Sequence, residues 1–345
     1  MISELVGSIL RLARTYTPAV DAANGIAELK PVELNGHPQW LLIRGHDVSK
    51  PVLLCLHGGP GISDIWLAHH TMNELERHFI CVNWDQRGTG KSLQPRPDPA
   101  TMTIDQFVRD GITLIELLLS RFRQEKLLLL GHSWGSVMAM KIAAARPDLL
   151  YAVIGMGQQV DSRRGEEISY QFVLESARAE RNQRAIRALE RLGGSDTYRK
   201  GSKYVQRWWL NHYRGLMHSV DIPAMATIML AAPEWSIAEC IRFLRGSALK
   251  YSVPLMADEI LRVNLLQEIR QLSVPAFFFE GRYDYNCPFV LAEEFFASLQ
   301  APSKKLIWFE RSGHTPDLEE PEKFQRELIA VADQVCGATR PQVVS

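Results

Sequence analysis

Apolar positions follow an alternating pattern between about residues 30 and 157. Short continuous apolar runs, typical of strands buried on both faces, alternate with longer segments whose apolar residues recur at helical spacing. Strands separated by helices in this way form parallel sheets covered on both faces. After a hairpin signal at Asn35-Gly36, the pattern predicts strands at residues 29–34, 40–44, 52–56, 79–84, 127–130 and 151–156.

Helical spacing is clearest in two of the intervening segments. Residues 104–122 predict a helix that Thr103 can cap, because a threonine hydroxyl accepts a hydrogen bond from the free N–H groups of a first turn. A second predicted helix runs from Ser133 to the break at Pro147. Both patterns return near the C-terminus, with strands at 276–280 and 305–309 and helices near 289–299 and 321–335.

The segment from residue 161 to residue 272 differs, since it has helical periodicity and no convincing buried strand. An insertion of about a hundred residues in a compact domain is usually a lid or a binding module. We therefore expect an α/β core in two parts, residues 21–160 and 273–345, with a helical cap at 161–272. Residues 1–20 predict a short amphipathic helix that ends before Pro18.

Composition and charge narrow the class of protein. The chain has 345 residues, which suits one large α/β domain with an insertion, or two domains. Lysine plus arginine and aspartate plus glutamate both number 39, so the basic excess of a nucleic-acid-binding protein is absent. No apolar run reaches the roughly 20 residues of a membrane-spanning helix, and the N-terminus lacks a secretory signal pattern. We expect a cytoplasmic protein that acts on a small molecule or a short peptide.

The five cysteines predict small buried thiols in a reducing compartment, because their number is odd and no CxxC pair occurs. No zinc-ligand spacing is present either. We therefore expect neither a metal nor another cofactor.

The segment Gly131-His132-Ser133-Trp134-Gly135 matches the G-x-S-x-G nucleophile elbow. It lies between a predicted buried strand and a predicted helix, which is the context that the motif requires. A sharp strand-to-helix turn crowds the backbone, so glycines flank a serine whose hydroxyl projects over the sheet edge. Ser133 is therefore the candidate nucleophile, and the alternative is an ordinary turn with a capping serine.

A serine hydroxyl needs an imidazole to take its proton and a carboxylate to orient that imidazole. Asp284 and His314 each follow a late strand, in the chain order Ser, Asp, His of this kind of fold. Both are therefore expected at the carboxyl ends of strands, where open α/β sheets place their chemistry. Asp258 and Asp317 are rival acids, but neither follows a late strand as closely.

A glycine cluster, His57-Gly58-Gly59-Pro60-Gly61, follows the strand at 52–56. A tetrahedral intermediate needs two N–H donors for its oxyanion, and we expect the N–H groups of Gly59 and Trp134 to supply them. A phosphate-binding loop is excluded, because no G-x-x-x-x-G-K-[ST] pattern follows.

The polar loop at residues 85–92, after the strand at 79–84, is expected to be structural. Its Asp85 and Arg87 are candidates for pinning it beside the His57 loop through charge-assisted hydrogen bonds.

The motifs HGGPG, DQRGTGKS and GHSWG occur in this order. The combination resembles the proline iminopeptidase (prolyl aminopeptidase) family of α/β-hydrolases, over about residues 30–157 and 273–336. The resemblance implies an α/β-hydrolase fold with an eight-stranded, mostly parallel sheet flanked by helices and an inserted helical cap. It also implies Ser133, Asp284 and His314 as the triad, with Gly59 and Trp134 as oxyanion donors.

The resemblance further implies a serine hydrolase that forms an acyl-enzyme, as a peptidase or amidase on small substrates. True iminopeptidases hold the amine of an N-terminal proline with acidic residues of the cap, and the candidates here are Glu166, Glu167, Glu175, Glu234 and Glu239. A carboxylesterase or lactonase with the same triad is an alternative, and a hydrolase-fold receptor without turnover is a third. Ser133 argues against dehalogenases and epoxide hydrolases, which place aspartate at the elbow.

Overall fold

The computed structural model describes residues 15–194 and 203–337. The predicted N-terminal helix falls mainly on residues 1–14, which lie outside the described residues, and residues 15–21 belong to no helix or strand. Arg44 holds the segment that precedes the sheet. Its Nη1 donates to Thr17 Oγ1 and to Pro18 O, both at 2.6 Å.

The sheet of the described chain has eight strands: β1 Ile26–Leu34, β2 His37–Gly45, β3 Val52–Leu56, β4 Ile80–Asp85, β5 Leu127–His132, β6 Leu150–Met156, β7 Ala276–Gly281 and β8 Lys304–Phe309. Their order in the sheet is β1-β2-β4-β3-β5-β6-β7-β8. β2 runs antiparallel to both β1 and β4, and the strands from β3 to β8 run parallel to one another. The predicted α/β fold with a mostly parallel sheet is confirmed.

Helices connect the parallel strands, and between β6 and β7 the described chain contains helices and no strand. We call the part from Ser162 to Glu268 the helical segment. The helices are α1 Ala68–Thr71, α2 Ile104–Phe122, α3 Trp134–Ala145, α4 Ser162–Ala179, α5 Gln183–Leu192, α6 Lys203–His212, α7 Ile222–Ala231, α8 Ile237–Leu244, α9 Ser247–Arg262, α10 Leu265–Glu268, α11 Phe289–Ser298, α12 Pro316–Glu319 and α13 Pro321–Gly337.

Local sequence explains where two of these helices begin. The Thr103 hydroxyl accepts from Gln106 N at 3.2 Å at the start of α2, the cap that the sequence predicts. The Asp161 carboxylate accepts from Arg163 N and Arg164 N, both at 3.1 Å, at the start of α4. Each cap satisfies N–H groups that have no partner inside the helix.

Apolar side chains cover both faces of the sheet, as continuous apolar strands require. On one face the strands pack against α2, α3 and α9, and Met256 and Ile260 of α9 belong to this core. On the other face Phe277 and Phe279 of β7 pack with Phe324 of α13. Because α9 is built into the core of the sheet, the helical segment is anchored to the sheet at its C-terminal end.

The helical segment also has a small core of its own. Val173 of α4, Leu189 of α5 and Leu210 of α6 are fully buried against one another. None of the helices in the described ranges combines the length and the apolar character that crossing a membrane requires.

The loop after β4 is anchored by a buried ion pair. Arg87 Nε lies 2.8 Å from Asp110 Oδ2 on α2, with both side chains almost fully buried, and Gln39 Nε2 donates to the same carboxylate at 2.7 Å. Our expectation that Arg87 pins this loop to the His57 loop is wrong, because Asp110 takes its guanidinium. Gln86 makes that contact instead, since its Nε2 donates to His57 O at 3.0 Å.

Replacing Arg87 with alanine should destabilise the fold by about 3–5 kcal/mol, because the Asp110 carboxylate would stay buried without an opposing charge. Urea unfolding measures the change in the free energy of unfolding. Arg109→Ala is the matched control, since Arg109 is an exposed arginine on α2, next to Asp110. This variant should change the free energy of unfolding by about 0.5 kcal/mol or less. Equal stabilities for the two variants would contradict the anchoring role.

Candidate active site

Ser133 lies in a strained turn between β5 and α3, with φ +54° and ψ −120°. The turn has no room for side chains at the two flanking glycines. A Cβ at Gly131 would lie 2.3 Å from Gly135 O, and a Cβ at Gly135 would lie 2.1 Å from Leu56 O. Ser133 N donates to Met156 O at 2.9 Å. Strands on both sides therefore hold the serine at the carboxyl edge of the sheet.

Asp284 and His314 form a buried pair at the same edge, beyond β7 and β8. Asp284 Oδ2 lies 2.7 Å from His314 Nδ1. The other oxygen, Oδ1, accepts from Asn286 N at 2.8 Å and from Cys287 N at 2.9 Å. Because Nδ1 faces a carboxylate oxygen, it carries the proton of the neutral ring and leaves Nε2 as the acceptor. The pair can therefore receive a proton at His314 Nε2.

The backbone of His314 is held from two directions. His314 N donates to Leu216 O of the helical segment at 2.7 Å, and His314 O accepts from His132 Nε2 at 2.9 Å. Burial, with a further contribution from His314, lowers the pKa of His132 to about 3. The His132 ring is therefore neutral near pH 7, and its Nε2–H serves as a fixed donor.

Gly59 and Trp134, the predicted oxyanion donors, flank the same edge. Gly59 has φ +124°, and a Cβ there would lie 2.4 Å from Gly61 N, so the loop requires glycine. Trp134 is the first residue of α3, and N–H groups of a first turn have no acceptor inside the helix.

His57 Nε2 accepts from Gln86 N at 3.0 Å, and burial lowers the pKa of His57 to about 4, which keeps the ring neutral.

A cavity of about 310 Å³ lies between the sheet edge and the helical segment. Ser133, His314 and Gly59 line it, and the helical segment contributes Glu166 and Arg207. Ser133 and His314 are 9% and 5% exposed, so both are accessible mainly through this cavity. Much of the remaining wall is apolar, including Ile62, Trp66, Leu67, Met217, Phe243 and Val253. The site therefore combines a few polar groups with apolar walls, as small-molecule sites do.

The five glutamates proposed from the sequence are widely separated. Glu166 lines the cavity and forms an ion pair with Arg207. Glu167 and Glu175 are exposed and line a different surface depression. Glu234 is fully buried and accepts from His69 Nε2 at 2.7 Å, and Glu239 pairs with Lys91 at 2.7 Å. Glu166 is thus the one member of the set that lies at the cavity beside Ser133.

Three cavity residues were not singled out from the sequence as binding groups. Asp64 and Asp317 line the cavity, and Asp317 appeared only as a rival for the acid. Cys287 Sγ lies 3.8 Å from Ser133 Oγ, and burial raises the pKa of this thiol well above its usual value. The positions of both aspartates in the sequence indicate that they lie near the site, since Asp64 follows the glycine cluster and Asp317 follows His314 by three residues. No group of three or more metal-ligating side chains is found in the described ranges.

The parallel sheet, the elbow at its edge and the buried Asp–His pair define a class of protein. The chain belongs to the α/β hydrolase fold family, whose model matches residues 51–284. It is therefore an α/β-hydrolase.

Its relatives include proteins named as aminopeptidases. It is 34% identical over 306 residues to "Probable aminopeptidase YbaC" of Bacillus subtilis (strain 168), covering 88% of this chain and 95% of that protein. It is 24% identical over 294 residues to a proline iminopeptidase of Heyndrickxia coagulans, covering 79% and 87%. The solved proline iminopeptidase of Mycobacterium smegmatis superposes with a TM-score of 0.68 at 18% identity, covering 91% of this chain and 100% of that one. The resemblance inferred from the motifs is confirmed.

Proposed function

We propose that this α/β-hydrolase is a serine hydrolase that cleaves small amide or peptide substrates through an acyl-enzyme. The observation that carries the proposal is the 2.7 Å bond between Asp284 and His314, in a cavity that Ser133 also lines. In this mechanism Ser133 Oγ attacks the scissile carbonyl while His314 Nε2 takes its proton. Asp284 holds the imidazole in the required tautomer and stabilises the imidazolium that forms.

The oxyanion of the tetrahedral intermediate is assigned to the N–H groups of Gly59 and Trp134. The supporting features are the positive φ of Gly59, which lets backbone approach the substrate, and the place of Trp134 at a helix N-terminus. His314 then returns its proton to the leaving amine. Water activated by the same imidazole releases the acyl group and restores Ser133.

The helical segment is proposed to act as a cap that selects substrates. Residues on α4, α6, α7, α8 and α9 line the cavity opposite the sheet edge, among them Glu166, Arg207 and Phe243. Walls of this kind exclude water, which strengthens electrostatic interactions inside the site. We therefore assign residues 21–160 and 273–345 to the core and residues 161–272 to the cap.

Aminopeptidase activity is the proposed specificity, in the manner of the proline iminopeptidases. Support comes from the relative named as a probable aminopeptidase, which is 34% identical over 88% of this chain. A cavity of about 310 Å³ with apolar walls suits a small apolar residue on the acyl side of the bond.

An esterase or lactonase is the second candidate, and one observation favours it. Glu166 is the cap glutamate at the cavity, and its carboxylate is already engaged by Arg207. Simple esters and lactones have no amine to be bound, so they do not require a carboxylate from the cap.

Replacing Ser133 with alanine should reduce turnover of amide and ester substrates by at least roughly 10³-fold, because no other group can form the acyl-enzyme. A fluorophosphonate probe should label the wild-type protein and fail to label this variant. Ser120→Ala, at an exposed position on α2, is the control and should keep both properties. More than a tenth of wild-type activity in a clean Ser133→Ala preparation would falsify the assignment.

Asp284 and His314 should behave as one unit with respect to catalysis. Once His314→Ala has removed the base, adding Asp284→Asn should lower kcat little further, because the groups of a triad are strongly non-additive. Steady-state kinetics of the two single variants and the double variant test this. Losses that multiply would show that the two residues act independently, contrary to the proposal.

A further inference from the structure

Two carboxylates of the core face the cavity without a cation. Asp64 is the N-cap residue of a short 3-10 turn, Ile65–Leu67, yet its side chain forms no capping hydrogen bond. Asp317 lies in the first turn of α12, three residues beyond His314. Within the described part of the chain, neither carboxylate forms a salt bridge, and both residues line the cavity with Ser133.

Burial raises the pKa of Asp64 well above its ordinary value, and the charge of Asp317 raises it further. Burial likewise raises the pKa of Asp317, to about 6. Two half-buried carboxylates that repel each other gain stability when a cation binds near both.

The other charged groups that line the cavity are already engaged. Arg207 is paired with Glu166, and Asp161 caps α4 and accepts from Asn264 Nδ2 at 2.9 Å. His314 Nδ1 is bonded to Asp284. The carboxyl groups that line the cavity, on Asp64, Asp161, Glu166 and Asp317, therefore outnumber the arginine that the described chain places there, Arg207.

An independent observation marks the same cavity as a ligand site. Trp66 is 3% exposed, lines the cavity, and its Nε1 has no hydrogen-bond partner in the structure described. Polar groups buried this deeply normally have partners, so a polar ligand is expected to supply them.

We propose that Asp64 and Asp317 together bind the protonated amine of the substrate, next to the carbonyl that Ser133 attacks. Asp64 follows the loop of Gly59 and Asp317 follows His314, so the pair lies beside the groups assigned to the reacting carbonyl. The substrates would be aminoacyl amides and peptides with a free N-terminus. This inference rests on the proposed serine hydrolase function, and it moves the amine site from the cap glutamates to two loops of the core.

The experiment compares two substrates that differ only in the amine: alanyl-p-nitroanilide and propionyl-p-nitroanilide. Asp64→Asn and Asp317→Asn should each lower kcat/KM for the alanyl substrate by about 10- to 150-fold, the usual effect of losing a charge-assisted hydrogen bond. The propionyl substrate should lose much less, so the ratio of the two kcat/KM values should fall. Glu167→Gln and Glu175→Gln, which remove carboxylates outside the cavity, should leave that ratio unchanged.

The outcomes separate the two proposals. Hydrolysis of the propionyl substrate without preference for the alanyl substrate, or equal losses on both substrates in the aspartate variants, overturns the amine site and leaves the serine hydrolase intact. Failure of the wild-type protein to react with either substrate and with a fluorophosphonate overturns both. Thermal unfolding of each variant checks that a selective loss is not a loss of folded protein.

Discussion

The site depends on the close approach of β5, α3 and β3 around Ser133. Gly131 and Gly135 have no side chains, and a Cβ at either would overlap backbone oxygen. This contact forces Ser133 to φ +54°, a region that costs a non-glycine residue free energy. Packing of the strands on both sides must supply that free energy. The elbow is therefore a property of the whole sheet, since the turn alone would relax.

Burial determines which polar groups near the elbow carry charge. It depresses the pKa of His57 and His132, so both rings stay neutral and act as fixed hydrogen-bonding partners of the backbone. It raises the pKa of Cys287, so this thiol stays protonated although it lies close to Ser133. The two oxygens of Asp284 accept three hydrogen bonds, from two backbone N–H groups and from His314. Among the polar groups at the elbow, we assign the reaction to the Ser133 hydroxyl and the His314 imidazole.

The helical segment and the His314 loop are linked through backbone hydrogen bonds. His314 N donates to Leu216 O, and Glu319 accepts from His218 N at 2.6 Å and from Gly313 N at 2.8 Å. A shift of residues 216–218 would therefore also displace the loop that carries the His314 imidazole. The part of the chain that we assign to substrate selection is thus mechanically coupled to the residue that we assign as base, as expected where a closed site must form before reaction.

The sequence by itself determined the periodic elements and the residues in special turns. The predicted strand at 52–56 and the predicted helix at 104–122 agree with β3 and α2 residue for residue, because apolar periodicity and a threonine cap are local signals. Ser133 could be chosen for the same reason, since a crowded turn requires glycines at fixed spacing.

Only the tertiary structure decided which charged side chains meet. Arg87 pairs with Asp110 rather than with the His57 loop. Of the five proposed glutamates, Glu166 alone reaches the cavity, where Arg207 engages it. Asp64 and Asp317 are far apart in the chain and become neighbours only through the fold. Partners of this kind are chosen by packing between elements distant in sequence, and neither spacing nor residue type encodes that choice locally.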